Sequence, residues 1–236
     1  MGALSDRPVR VDGAMGTTLR ARGLAAEDCA DTWVMARPME VLAVHQAFVA
    51  AGAQVLRTAT LCSRPDRDEA AMATVRAAVA LARRANPEQV WLSVGPAGPQ
   101  RDASQLVALA SSGADRVLLE TFVDGAELLE AAQTLVRAGA RVVASMVPSS
   151  SGALLDGSPP PWKALLDAGV EGVGFNCGRH SADVVRAIRA LPSGGPWFAA
   201  PVDDDDLPAS ADELAARVRW LGGCCGVAPA RWRALW

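Results

Sequence analysis

Short apolar runs rich in valine, leucine and alanine alternate with longer stretches whose apolar positions recur at helical spacing. The short runs predict strands at 8–15, 53–60, 90–96, 116–122, 141–147, 172–177, 196–202 and 220–226. Amphipathic helices are predicted between them, over 39–52, 68–85, 104–113, 125–139, 161–169, 181–191, 210–219 and 228–236. Several helices run into a glycine stop, as at Ala51-Gly52, Ser112-Gly113, Ala138-Gly139 and Ala168-Gly169. Eight β-α repeats predict a single α/β domain over 1–236, a (β/α)8 TIM-type barrel. A doubly wound open sheet is the alternative, but no GxGxxG follows the first strand.

The barrel changes how the polar residues read. Asp12, Thr58, Thr60, Glu120, Asn176, Cys177, Cys224 and Cys225 all fall near predicted strand ends. In a barrel those ends form one mouth, where active-site groups gather.

Composition narrows the partners. The 236 residues are 50% hydrophobic, enough for one large core, and 26 acids against 23 bases leave a net charge of −3. No basic field is available for nucleic acid. No apolar run approaches the length of a membrane span, and the N-terminus does not read as a signal peptide. Five cysteines without an export signal predict reduced thiols and a cytoplasmic location.

The densest chemistry is GGCCG at 222–226. Adjacent side chains on a regular strand point to opposite faces, so Cys224 and Cys225 converge only where the backbone is distorted, which glycine allows. Cys177 closes the sixth strand and the pair closes the eighth. Three thiolates with a fourth position open to substrate describe a catalytic zinc site; three unrelated buried thiols are the other reading of the same residues. Cys29 and Cys62 read as small packing residues.

The segments VDGAMGTTL (11–19), AGAQVLRTAT (51–60), SVGPAGP (93–99), LLET (118–121), GVGFNC (172–177) and GGCCGVAP (222–229) together resemble the homocysteine S-methyltransferase family. The resemblance implies a zinc-dependent barrel methyltransferase with Cys177, Cys224 and Cys225 as ligands at the catalytic centre. It implies that Asp12 and Gly13 hold the amino-acid end of homocysteine and that Glu120 takes its ammonium group. Thr58 and Asn176 fall in matching motifs, Asn176 orienting the ligand strand. Zinc would remove the acceptor's thiol proton and leave a nucleophilic sulfur lone pair.

The implied partners are a small thiol acceptor and an activated methyl donor: S-methylmethionine, S-adenosylmethionine, a betaine-like compound or a corrinoid protein. Relatives place an aromatic near Trp33, which makes it the expected cation–π face for a cationic donor. The rim departs from the family pattern. Gln100 and Arg101 follow Pro99 with a shortened loop, the TNT-type strand end reads Thr58-Ala59-Thr60, and the loop after the seventh strand reads Ala200-Pro201-Val202-Asp203.

These departures keep other functions in view: an S-adenosylmethionine-dependent C-methyltransferase for a small α-keto acid, or a thiol-binding barrel without turnover. Residue readings also stay open. Asp12-Gly13 fits a tight turn, and Glu120 could pair with Arg116 or Arg141. His45 and His180 read as packing or surface residues, and Asp203 to Asp206 as a solvated loop.

Overall fold

The structure is a computed structural model that describes residues 7–63, 69–96 and 103–236. Each apolar run becomes a strand: β1 (Val9–Arg10), β2 (Val55–Arg57), β3 (Gln89–Val94), β4 (Arg116–Phe122), β5 (Val142–Met146), β6 (Gly172–Cys177), β7 (Trp197–Pro201) and β8 (Trp220–Leu221). All pairings are parallel, in the order β1-β8-β7-β6-β5-β4-β3-β2. A Val11–Val55 bridge joins the two ends of that series. Beside it the Asp12 N–H donates to the Val55 carbonyl at 2.9 Å and the Gln54 N–H to the Arg10 carbonyl at 2.8 Å. The sheet is thus a nearly closed (β/α)8 barrel. Its strands are covered outside and packed inside, so β2, β5 and β7 are buried at every position.

Two cores result. Val11, Val55, Trp91, Leu118, Val143, Phe198, Ala200 and Trp220 form one cluster, to which nearly every strand or its flank contributes. Within it Trp91 meets Trp220 edge-on with ring centroids 5.7 Å apart. Arg116, buried on β4, lies near both rings and pairs with Glu171 at 2.9 Å. A larger cluster fills the layer between sheet and helices.

The predicted helices appear as α3 (Pro38–Ala51), α4 (Glu69–Arg84), α5 (Ala103–Ala110), α6 (Gly125–Arg137), α7 (Trp162–Asp167), α8 (Ser181–Arg189), α9 (Leu207–Ala215) and α10 (Pro229–Arg233). Two short helices precede them and were not foreseen, α1 (Met15–Arg20) and α2 (Thr32–Ala36). Helix α9 begins three residues earlier than predicted because Pro208 sits in its first turn, where its missing N–H costs nothing. The Trp232 indole of α10 donates to the Val11 carbonyl at 2.8 Å and ties the last helix to the end of β1. Among the described residues no helix is long and apolar enough to cross a membrane. The expected loop after Pro99 lies outside the described residues.

Candidate functional site

Cys177 is the last residue of β6 and has φ 66°, a left-handed conformation rare for a non-glycine. Thr121, near the end of β4, has φ 69°. Backbone strain of this kind persists only where the surroundings enforce it. At Thr121 the Asn176 side chain does so. Its Oδ1 accepts from the Thr121 N–H at 3.0 Å and from the Ser145 hydroxyl at 2.7 Å, and its amide N–H donates to Thr121 Oγ1 at 3.0 Å. Asn176 is fully buried and bonds the ends of β4 and β6 together. The same amide approaches Cys224 Sγ at 3.7 Å.

The vicinal pair departs from its predicted place on the strand. β8 ends at Leu221, and Cys224 and Cys225 lie in the following turn. The turn is fixed by backbone bonds from Cys224 N–H to the Pro201 carbonyl at 2.7 Å and from Asp203 N–H to the Cys225 carbonyl at 2.9 Å. Gly226, at φ 86°, reverses the chain where a side chain would be strained.

The outcome is a cluster in which the sulfurs of Cys177, Cys224 and Cys225 all lie within 4.8 Å of one another. Cys177 and Cys225 are 3.9 Å apart. Tetrahedral zinc with bonds of about 2.3 Å places its sulfurs roughly 3.8 Å apart, so the spacing fits such a cation. Hydrogen bonds from the Cys177 and Cys224 thiols pull Cys225 down to about 3, while hydrogen bonding to Cys224 and Cys225, together with burial, pushes Cys177 up. Cys224 is also raised: its hydrogen bond with Cys177 favours the thiolate, but the bond to Cys225 and burial outweigh it. Unaided, the cluster favours one thiolate beside two thiols; a soft cation would let all three ionise.

The thiols open on a cavity of about 240 Å³. Gly13, Thr58, Glu120, Thr121 and the three cysteines are among its lining residues. Thr58 and Thr60 share a 2.6 Å hydrogen bond, Thr60 donates to the Ser93 carbonyl at 2.7 Å, and Thr58 accepts from the Ser93 N–H at 3.0 Å. The Ser93 hydroxyl in turn bonds Glu120. Cys29 and Cys62, expected as packing residues, also line this cavity.

Arg57 at the end of β2 was missed in the sequence, and it alters the expected roles of two acids. Its Nε donates to Asp12 Oδ1 at 2.8 Å and its backbone N–H to Asp12 Oδ2 at 3.0 Å. Its Nη1 donates to Glu120 Oε2 at 3.0 Å. Asp12 is therefore turned to Arg57 and does not line the cavity. Burial lifts its carboxyl to about 6 against the pull of the guanidinium. Glu120 does line the cavity, yet its partner is Arg57; Arg116 and Arg141 pair instead with Glu171. An arginine inside an otherwise apolar strand was the available signal, since a buried guanidinium requires partners.

Trp33 takes a different setting from the one expected. It is buried on α2, does not line the cavity, and has Arg37 stacked 4.6 Å from its ring centroid. His45 is fully buried and His180 exposed. Asp203 and Asp204 are tied down by Arg231 at 2.7 Å and by the Ser181 hydroxyl at 2.7 Å, so that part of the acidic run is a fastened loop.

A nearly closed parallel barrel with convergent thiols and a carboxylate at one mouth is built as a (β/α)8 enzyme with a thiolate centre. The chain matches the homocysteine S-methyltransferase family over residues 10–235 and belongs to that family of methyltransferases. It is 29% identical to the homocysteine methyltransferase MmuM from Escherichia coli in its apo form, with a TM-score of 0.80 over 97% of this chain and 94% of that one. For the metallated form of MmuM the identity is 27% and the TM-score 0.82, over 97% and 95%. It is also 28% identical to the methionine synthase of Mycobacterium tuberculosis (strain ATCC 25618 / H37Rv) over 99% of this chain, which spans 25% of that relative's length.

Proposed function

We propose that this chain is a zinc-dependent methyltransferase that moves an activated methyl group to the thiol of homocysteine, giving methionine. The observation that carries the reading is the convergence of Cys177, Cys224 and Cys225 beside a cavity that also presents Glu120. Zinc bound to these three thiolates would supply a Lewis acid that keeps the acceptor sulfur deprotonated and leaves a lone pair for the methyl group. Asn176 orients Cys177 and Cys224, Glu120 accepts the ammonium of the acceptor, and Thr58 and Gly13 border its carboxylate end. Asp12 acts from behind the wall, by holding Arg57.

The donor belongs to the class of activated methyl compounds, with a protein-borne methylcorrinoid as a further source suggested by the likeness to methionine synthase. Leu61 and Val123, which follow β2 and β4, are exposed apolar residues that such a protein could cover. One observation favours a second acceptor class. Arg57 already pairs Glu120, so an α-keto acid, which lacks the ammonium, competes as a substrate for C-methylation.

The test is incubation of zinc-loaded protein with homocysteine and a panel of donors. Methionine appearing with one donor, and about one zinc per chain, is the expected result. Alanine at Cys177, Cys224 or Cys225 lowers zinc content sharply, whereas alanine at Cys29 or Cys62 leaves it unchanged. Equal zinc in all five variants, or no methionine with any donor, would sink the proposal.

A further inference from the structure

Arg57 is only 6% exposed, and its guanidinium reaches three parts of the barrel mouth. Nη2 donates to the carbonyls of Asp12 at 3.0 Å, Gly13 at 2.8 Å and Gly223 at 2.6 Å. Nε holds the Asp12 carboxylate and Nη1 the Glu120 carboxylate. The Gly223 carbonyl belongs to the peptide that leads into Cys224, and the N–H of that same peptide bonds Pro201. The peptide plane from which the Cys224 side chain departs is thus gripped at both ends, one end by Arg57.

We propose that Arg57 is a positioning residue that joins the acceptor carboxylate Glu120 to the Cys224-bearing turn, so that metal retention and acceptor binding depend on one side chain. The inference rests on the metal-centre reading above. A planar guanidinium can serve carboxylates on two edges and carbonyls on a third; a lysine ammonium in the same place has three donors from a single nitrogen and cannot span them. Groups that orient metal ligands from outside the coordination sphere typically carry ten- to a hundredfold in metal affinity.

The experiment compares wild type with Arg57→Lys and Arg57→Ala, each checked for folding by circular dichroism. Zinc affinity is measured by chelator competition, the ligand geometry by visible absorption of the cobalt(II)-substituted protein, and KM and kcat with homocysteine. Expected are a roughly ten- to hundredfold fall in zinc affinity, shifted cobalt–thiolate bands and a higher KM in both variants. Millimolar guanidinium should return the cobalt spectrum of Arg57→Ala toward wild type. Folded variants with wild-type zinc affinity and cobalt bands overturn the inference. So do variants that remain unfolded with guanidinium present, because Arg57 would then serve the fold alone. A wild type that takes up neither metal fails the metal-centre reading itself, and the inference with it; failure confined to the variants' predicted defects leaves that reading standing.

Discussion

Single side chains at the mouth carry separable amounts of binding energy, and Glu120 is the most exposed to test. A hydrogen bond to a charged group contributes roughly 1.5–3 kcal/mol. Ser93 and Arg57 already occupy both oxygens of Glu120, so the lower end applies, about tenfold in affinity. Homocysteine should therefore bind about tenfold better than its deaminated analogue, and Glu120→Gln should erase that preference while zinc stays bound. Equal binding of the two thiols to wild type would favour the α-keto acid reading. His45 offers a stability test. Neither ring nitrogen has a hydrogen-bond partner among the described residues, and burial lowers its pKa from 6.5 to about 3. The unfolded chain then binds a proton that the folded chain refuses, so the contribution is complete above 6.5 and lost as pH falls toward 3. Between pH 7 and pH 5 wild type should lose roughly 2 kcal/mol more than His45→Leu by urea unfolding. Parallel pH profiles would contradict the burial of a neutral imidazole.

Between elements, the decisive contact is the Asn176 clamp from β6 to β4. Asn176→Ala leaves the buried Ser145 hydroxyl without this acceptor, at a cost of about 1–3 kcal/mol, and the half-buried Thr121 N–H at a smaller one. The variant should melt several degrees lower and, with the Asn176 amide gone from beside Cys224, retain zinc less well. Unchanged melting together with unchanged zinc affinity would show that the β-strand pairing alone holds the strained backbone. The elements themselves were visible in the sequence to differing degrees. Long helices such as α4 and α6 repeat their apolar positions over several turns, whereas α1 and α2, six and five residues long, are additional to the one helix per strand that the repeat predicts; α7 and α10 are as short but occupy places in that repeat. The boundary of β8 was misplaced because GGCC reads as a distorted strand, while the bond from the Val227 N–H to the Cys224 carbonyl at 3.1 Å turns the chain there.

At the scale of the molecule, the rim decides which donor enters. Among the described residues no aromatic lines the cavity, and Trp33 keeps its ring under Arg37. Quaternary ammonium ligands are usually held by aromatic faces. A sulfonium such as S-methylmethionine should therefore support methionine formation while betaine does not, measured under identical zinc loading. Betaine turnover at a comparable rate would overturn this selection. The barrel makes the rim a shared product of many loops, so exchanging one residue there is expected to tune the donor less than removing a thiol affects the metal.

The repeat of apolar runs and amphipathic stretches was sufficient to specify a parallel α/β sheet, because each run had to be buried on both sides and each helix on one; the Val11–Val55 bridge between the end strands is what distinguishes the barrel from an open sheet. The three thiols were legible as candidates, but three unrelated buried thiols fitted the same residues until the sulfurs were found within 4.8 Å of one another. Thr58 and Glu120 were placed at the mouth by the same count of strands. What the sequence could not supply was partnership across the barrel. Asp12 and Glu120 lie 45 and 63 positions from Arg57, and only closure of the sheet sets the guanidinium between them. Trp33 likewise read as a ligand face until the packing of α2 and the reach of Arg37 covered it. Periodicity records which side of an element is buried; the pairing of charges is a property of three-dimensional proximity, and tertiary structure alone decided it.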